Sequence, residues 1–277
     1  MADDNASPLV RLSRATDRRR IGLIPVRGVI GGSVKVSQLV KTLSDAKRND
    51  RIKAVVLDID SPGGAATGSE AVHLAVRRLA AVKPVVAWIS GTGASGAYFI
   101  ACGATRILSF PSAIVGSIGV ISIRPVAVEA LRRLGTSVNV TKTGPFKDLG
   151  APWREPSEED QRKERNLIEA VFERFREAVK TARDLDDQAV TRVTTGEVWL
   201  GTQALELRLV DGLADDEEAV LEEAQQLAAL PHRKLIRLSP RKTLLQRVGV
   251  PGAGMGPPGR AWIVELEGWW RSTRLMW

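Results

Sequence analysis

The stretch GTGASGAYF places Ser95 between small residues at a strand-to-helix turn. A side chain can project from such a turn while the first amides of the helix supply partial positive charge. One βα unit earlier, DSPGG (Asp60 to Gly64) breaks a short β-branched run at its C-terminal end, where open α/β sheets usually bind ligands. Two adjacent glycines let a backbone N–H approach another group closely. Alone, DSPGG reads as a tight turn, and a serine among glycines reads as a helix cap. Together, the N–H groups of Gly64 and Gly96 can polarise a carbonyl held over the Ser95 hydroxyl, an arrangement worth a few kcal/mol per donor. The G-x-S-x-G elbow is not matched, because Ala97 stands where its last glycine belongs.

A serine needs a base. The two histidines are His73, inside the helical stretch AVHLAVRRL, and His232, in a basic tail; the first reads as a packed or surface imidazole, and a Ser–His–Asp triad finds little support. Lysine can serve instead when desolvation lowers its pKa toward neutrality. Lys147 lies in KTGPFKDLGAPWRE, a loop punctuated by Gly and Pro, between Phe146 and Leu149. On the residues alone it reads as an exposed loop lysine. Cys102, the single cysteine, lies in the apolar YFIACGA and reads as a buried, inert thiol. One Cys and two His do not make a zinc site, and there is no P-loop. Neither a metal nor a cofactor is expected.

The elements that must position these residues alternate. Strands are predicted at Ile21–Ile30, Lys53–Asp58 and Pro84–Ser90, with helices at Val36–Asn49 and Gly68–Leu79 between them. This alternation implies βαβ units and a parallel sheet. A helix opens near Ser95. Short strands are predicted at Arg106–Phe110 and Gly119–Ile123, then a helix at Pro125–Leu134 and a strand near Ser137–Thr141. Ser157 is a helix N-cap followed by Glu158, Glu159 and Asp160, where acidic side chains suit the helix dipole; that helix runs to about Arg183. Residues 186–229 read as further helices around turns. Three regions result: a flexible basic arm at 1–20, a body at 21–230, and a basic, Trp-rich tail at 231–277.

The chain has 277 residues, 44% of them hydrophobic and 26% charged, enough to bury one substantial core. Its net charge of +8 sits at the ends. Residues 231–277 hold nine Lys/Arg against Glu265 and Glu267; residues 1–20 hold five Arg against Asp3, Asp4 and Asp17. The body is near neutral, which argues against a nucleic-acid-binding core, and no such motif is present. No apolar run has the length of a signal peptide or a membrane span. A cytoplasmic protein, peripheral at the inner face of the membrane, is expected. Contact with that surface is assigned to GRAWIVELEGWWRSTRLMW, where Trp262, Trp269, Trp270 and Trp277 fall mainly on one side of a helix flanked by arginines. Docking of the tail on protein is the alternative.

Five stretches, in order, resemble the signal peptide peptidase A family of Ser–Lys dyad serine peptidases with the ClpP/crotonase fold. They are VVLDI with DSPGG, GTGASGAYFIACGATRI, VGSIGVI (Val115 to Ile121), KTGPFKDLGAPWRE, and GEVWLGTQALELRLVDGL (Gly196 to Leu213). The resemblance covers about residues 21–230. It implies an α/β fold with a layered parallel sheet and flanking helices. It aligns Ser95 with the nucleophile and Lys147 with the general base. Gly64 and Gly96 map to the oxyanion hole, and Ser117 to the hydroxyl that orients the lysine amine. It further implies cleavage of peptides such as remnant signal peptides, without ATP. In single-domain members it implies a homo-oligomeric ring whose Ser and Lys come from neighbouring subunits. Many members carry an N-terminal membrane anchor, whereas this chain begins with a polar basic arm. A crotonase-type acyl-CoA enzyme and an inactive scaffold on the same fold are the competing readings; the first leaves Ser95 and Lys147 without work, and the presence of every matched residue argues against the second.

Overall fold

The computed structural model describes residues 19–238. Most of the expected N-terminal arm and the Trp-rich segment of the tail lie outside the described residues. In chain order the first half runs β1 (Arg20–Arg27), α1 (Val36–Arg48), β2 (Ile52–Ser61), α2 (Ala66–Ala80), β3 (Val85–Ala94), α3 (Gly96–Ala101), β4 (Arg106–Ser109) and β5 (Ile114–Gly116). The second half runs α4 (Val128–Arg133), α5 (Glu158–Arg183), α6 (Asp187–Val193), β6 (Val198–Leu200), α7 (Gly201–Glu206), β7 (Gly212–Leu213), α8 (Glu217–Leu227) and β8 (Leu235–Arg237).

Among the described residues the strands form one eight-stranded sheet in the order β6–β5–β3–β2–β1–β8, with β4 joining β3 to β7 off this path. Every pairing is parallel except β5 with β6. Runs such as AVVL (54–57) are apolar at every position because both faces of the sheet are covered. Val55, Leu57 and Ile59 point to one side, with Ile24, Val26 and Ile89, where Leu39 and Leu43 of α1 and Val72, Val76 and Leu79 of α2 meet them. Ala54, Val56, Ile21, Leu23, Val86 and Trp88 point to the other, against Val220, Leu221 and Ala224 of α8. The sheet therefore lies between two helical layers, the architecture of an α/β fold.

Three local expectations are corrected. Residues 119–123 and 137–141 form no strand. The ladder instead ends at Gly116, because Gly116 and Ser117 both take positive φ (114° and 49°) and turn the chain off the sheet. Residues 235–237, assigned to the tail, form β8 and pair with β1 through Ile21, Gly22 and Leu23. Helix α5 does start at the expected cap. Ser157 accepts from the Asp160 amide while the Asp160 carboxylate reaches back to the Ser157 amide, the reciprocal bonding of a capping box. Its far end is anchored by the buried Phe175 and Val179, whereas Leu167 and Val171 in its middle are exposed.

Candidate active site

Strand β3 delivers Ser95. It does so through a fork: Val86–Ile89 pair with β4, then Thr92–Ala94 pair with β5. Between these the register with β2 slips, since Ile59 faces Ile89 but Ser61 faces Gly93. Two extra residues are thus accommodated in β3, a bulge that re-aims the strand end. Asp60 holds it, its Oδ1 accepting the Thr92 amide at 3.0 Å. Gly91 fits there because an added Cβ would stand 2.5 Å from that same oxygen.

Beyond the bulge, Ser95 takes φ 51° and ψ −125°, a conformation that costs a non-glycine residue on the order of 1–3 kcal/mol. The surroundings hold it there. Its amide donates to the Gly116 carbonyl at 2.7 Å and its carbonyl accepts from the Phe99 amide at 3.0 Å. Helix α3, which follows, is buried at all six positions. The Tyr98 hydroxyl donates to the Leu209 carbonyl at 2.7 Å. Phe99 stacks between His73 (4.6 Å between centroids) and Phe175 (4.8 Å). The turn bearing the serine is thus fixed to the core on both sides.

The DSPGG loop packs directly behind it. A Cβ on Gly63 would lie 2.9 Å from the Ser95 Cβ and 2.8 Å from the Gly96 nitrogen. Only a residue without a side chain permits that approach, and φ at Gly63 is 100°. Gly64 has φ 149°, and its backbone pairs with Ile30: the Ile30 amide donates to the Gly63 carbonyl (2.8 Å) and the Ala65 amide to the Ile30 carbonyl (2.9 Å). The Gly64 nitrogen lies 3.6 Å from where a Cβ on Gly96 would stand. Among the described residues neither the Gly64 nor the Gly96 amide donates to a protein acceptor. Two adjacent donors beside a projecting hydroxyl are what a developing oxyanion requires.

Ser117 is the next residue beyond the Ala94–Gly116 pair, just as Ser95 is. It also has positive φ, and its amide donates to the Glu197 carbonyl at 2.6 Å. Four of the five expected residues, Ser95, Gly64, Gly96 and Ser117, therefore gather at one end of the sheet. Lys147 belongs to a different segment of the chain. It is exposed, in the turn at residues 144–150, on an arm between β5 and α5. Its amide donates to the Gly144 carbonyl at 3.2 Å. Its neighbour Asp148 is buried, and its carboxylate accepts from Lys142 (2.7 Å) and Arg154 (3.0 Å). These two cations, Arg154 first, hold the Asp148 pKa down at about 2.

Of the other titratable groups, His73 is buried, its Nδ1 2.7 Å from the Phe99 carbonyl. Burial pulls its pKa below the ordinary imidazole value. It braces the ring behind α3. Burial pushes the Cys102 thiol up to about 12, so it is no nucleophile near neutral pH. Sequence reasoning missed Asp60, Gly63 and the Asp148–Arg154 pair. The doubled glycine of DSPGG signalled Gly63, since each glycine of such a pair can face a different neighbour.

Residues 77–230 match the profile of Peptidase family S49, and residues 22–115 that of Clp protease. A protein of Methanocaldococcus jannaschii named as a protease is 31% identical over 219 residues, covering 78% of this chain and 70% of its own length. Protease 4 of Salmonella typhi is 34% identical over 223 residues, 80% of this chain. The match spans only 35% of Protease 4. The solved structure of the 1510-N membrane-bound stomatin-specific protease aligns with a TM-score of 0.52 at 17% identity, over 80% of this chain and 99% of that one. At that identity the likeness concerns the fold, a ClpP-like α/β sheet. The profile covers more than half of the sequence and the relatives are proteases across most of it: this chain belongs to peptidase family S49 and is a serine peptidase.

Proposed function

We propose that the chain is an endopeptidase in which Ser95 is the nucleophile and Lys147 the general base. The observation that carries this reading is Ser95 held in a strained turn beside two N–H groups, of Gly64 and Gly96, that donate to no acceptor among the described residues. The Lys147 amine takes the Ser95 proton as Oγ attacks the scissile carbonyl, and the two amides hold the resulting oxyanion. The ammonium then returns its proton to the departing amine, leaving an acyl-enzyme. The neutral amine next draws a proton from water, which attacks the ester. The ammonium returns that proton to Ser95 Oγ as the acyl C–O bond breaks and the carboxylic acid product leaves. Ser117, across the ladder from Ser95, orients the lysine amine. The substrates are peptides, remnant signal peptides among them.

The exposure of Lys147 supports a shared site. A base exposed in one copy loses its water, and so its preference for the charged form, once a second copy covers it. The same arm carries apolar side chains in the open: Ile121 is 82%, Ile123 74% and Leu134 77% exposed. Exposed apolar clusters of this kind mark association surfaces. We therefore extend the proposal to a homo-oligomeric ring in which Lys147 of one copy serves Ser95 of the next.

A serine-directed phosphonate and a fluorogenic peptide test both parts. Ser95→Ala and Lys147→Ala should each lose phosphonate labelling and nearly all hydrolysis while keeping the wild-type circular dichroism spectrum. Mixed and reassembled, the two inactive variants should recover part of the activity. Retention of activity in Lys147→Ala would remove the base assignment. Inactive variants that stay inactive on mixing, within confirmed mixed oligomers, would confine the site to one copy.

A further inference from the structure

Among the described residues, Arg154 links the loop that carries Lys147 to the start of α5. Its guanidinium spans two carboxylates. Nε and Nη2 donate to Oδ2 and Oδ1 of Asp148, each at 3.0 Å. Nη2 also reaches Asp160 Oδ1 at 3.0 Å, and Nη1 bonds Asp160 Oδ2. Both acids are buried, with side chains 7% and 4% exposed. Asp148 is bonded covalently to Lys147. Asp160 belongs to the first turn of α5, where it accepts from the Ser157 amide and hydroxyl, both at 2.9 Å. A continuous line therefore runs from the backbone of Lys147 through Asp148, Arg154 and Asp160 to a helix whose other end is packed in the core through Phe175 and Val179.

The chemistry of this link is specific. A planar guanidinium with forked donors can serve two carboxylates at once, whereas an ammonium is a point charge that cannot fix their mutual orientation. The cluster is also balanced: Arg154 and Lys142 face Asp148 and Asp160. Nothing in the reaction requires Arg154 to touch substrate. What it fixes is the place of the peptide unit from which the lysine side chain springs, and a shift of about 1 Å in a reacting group can cost on the order of a hundredfold in rate.

We propose that Arg154, acting through Asp148 and Asp160, is a positioning residue that sets where the Lys147 amine stands. The proposal rests on the reading of Lys147 as the general base, and it holds whichever copy's Ser95 that base serves. Arg154→Lys keeps the charge but loses the fork, and Asp148→Asn keeps the shape with one acceptor fewer.

Steady-state hydrolysis and the rate of Ser95 labelling by a phosphonate, measured on the full chain in its native oligomeric state, test it. Arg154→Lys should lower kcat and the labelling rate about 10- to 100-fold, with KM within about twofold of wild type. Asp148→Asn should move kcat in the same direction. Asp186→Ala serves as the structural control, since removing the side chain that caps α6 loosens that helix by about 1 kcal/mol without touching Arg154, Asp148 or Asp160. It should unfold earlier yet keep kcat. Wild-type kcat in Arg154→Lys alongside an inactive Lys147→Ala overturns the positioning role and leaves the base assignment standing. An active Lys147→Ala overturns the base assignment first. A loss of kcat in Asp186→Ala equal to that in Arg154→Lys makes the link merely structural.

Discussion

Gly64→Ala tests the oxyanion arrangement at its most constrained point. At φ 149° a side chain is strained whatever the space around it. The space is also taken: a Cβ would stand 2.2 Å from the Ile30 oxygen, 2.7 Å from its nitrogen and 2.9 Å from its carbonyl carbon. All three are backbone atoms, so no rotamer change relieves the overlap. The bridge must open, and with it the 2.8 and 2.9 Å bonds on either side of Ile30. Two backbone hydrogen bonds at about 1 kcal/mol net each, with about 1–3 kcal/mol of backbone strain, give roughly 3–5 kcal/mol. For a domain of this size that lowers Tm by roughly 10 °C, which still leaves a protein of ordinary stability folded at 25 °C.

The catalytic effect is separate from this loss. Opening the bridge turns the Gly64 N–H away from the position of the developing charge. Loss of one oxyanion donor costs about 10²- to 10³-fold in kcat. Thermal melts followed by circular dichroism, with peptide hydrolysis assayed well below Tm, read the two effects independently. Leu39→Ala matches the stability loss without touching the site, since removing a buried leucine costs about 2–5 kcal/mol and Leu39 is 3% exposed on α1. It should melt early and keep kcat. A folded Gly64→Ala with kcat within threefold of wild type would refute the reasoning, as would an equal loss of kcat in Leu39→Ala.

Two further outcomes are expected. With its thiol pushed up to about 12 by burial, Cys102 should resist iodoacetamide at pH 8 in the native protein and react promptly in denaturant; rapid alkylation of the native protein, read by intact mass, would contradict the buried setting of α3. Anionic liposomes should float the full chain but not one lacking residues 260–277, where Trp262, Trp269, Trp270 and Trp277 accompany Arg260, Arg271 and Arg274; equal flotation of both rejects the lipid reading of that segment.

What could be read from the residues, and what could not, divides along physical lines. The apolar runs of β1 to β3 were legible because a strand covered on both faces must be apolar throughout, and the start of α5 because a serine followed by three acids has few other uses. The Ser95 turn was legible as a small-residue break between a strand and a helix. The bulge at Gly91 was not, because it follows from Asp60 capturing the Thr92 amide, a contact 32 residues apart in sequence. Asp148 and Arg154 escaped for the same reason. Charges six residues apart in a loop share no helical or strand period, so KDLGAPWRE resembles a solvated surface until the fold brings the side chains together.

The failed strand assignments carry information of their own. Ile121 and Ile123, and Val138 and Val140, alternate with polar or small neighbours as the residues of half-buried strands do, yet all four are exposed and none belongs to the sheet. Alternation of that kind is a demand for a partner on one side, and within the described residues of one copy the demand goes unmet. The same arm presents Lys147, which on the proposed chemistry must lose water before it can act as a base. Under the proposed assembly both needs, apolar cover for the arm and desolvation of its amine, would be met by one event, the seating of this arm against a second copy. On that argument assembly and activity are a single equilibrium: dilution that dissociates the oligomer should abolish hydrolysis at the concentration where sedimentation shows monomer. Activity that persists in the monomer would separate the two.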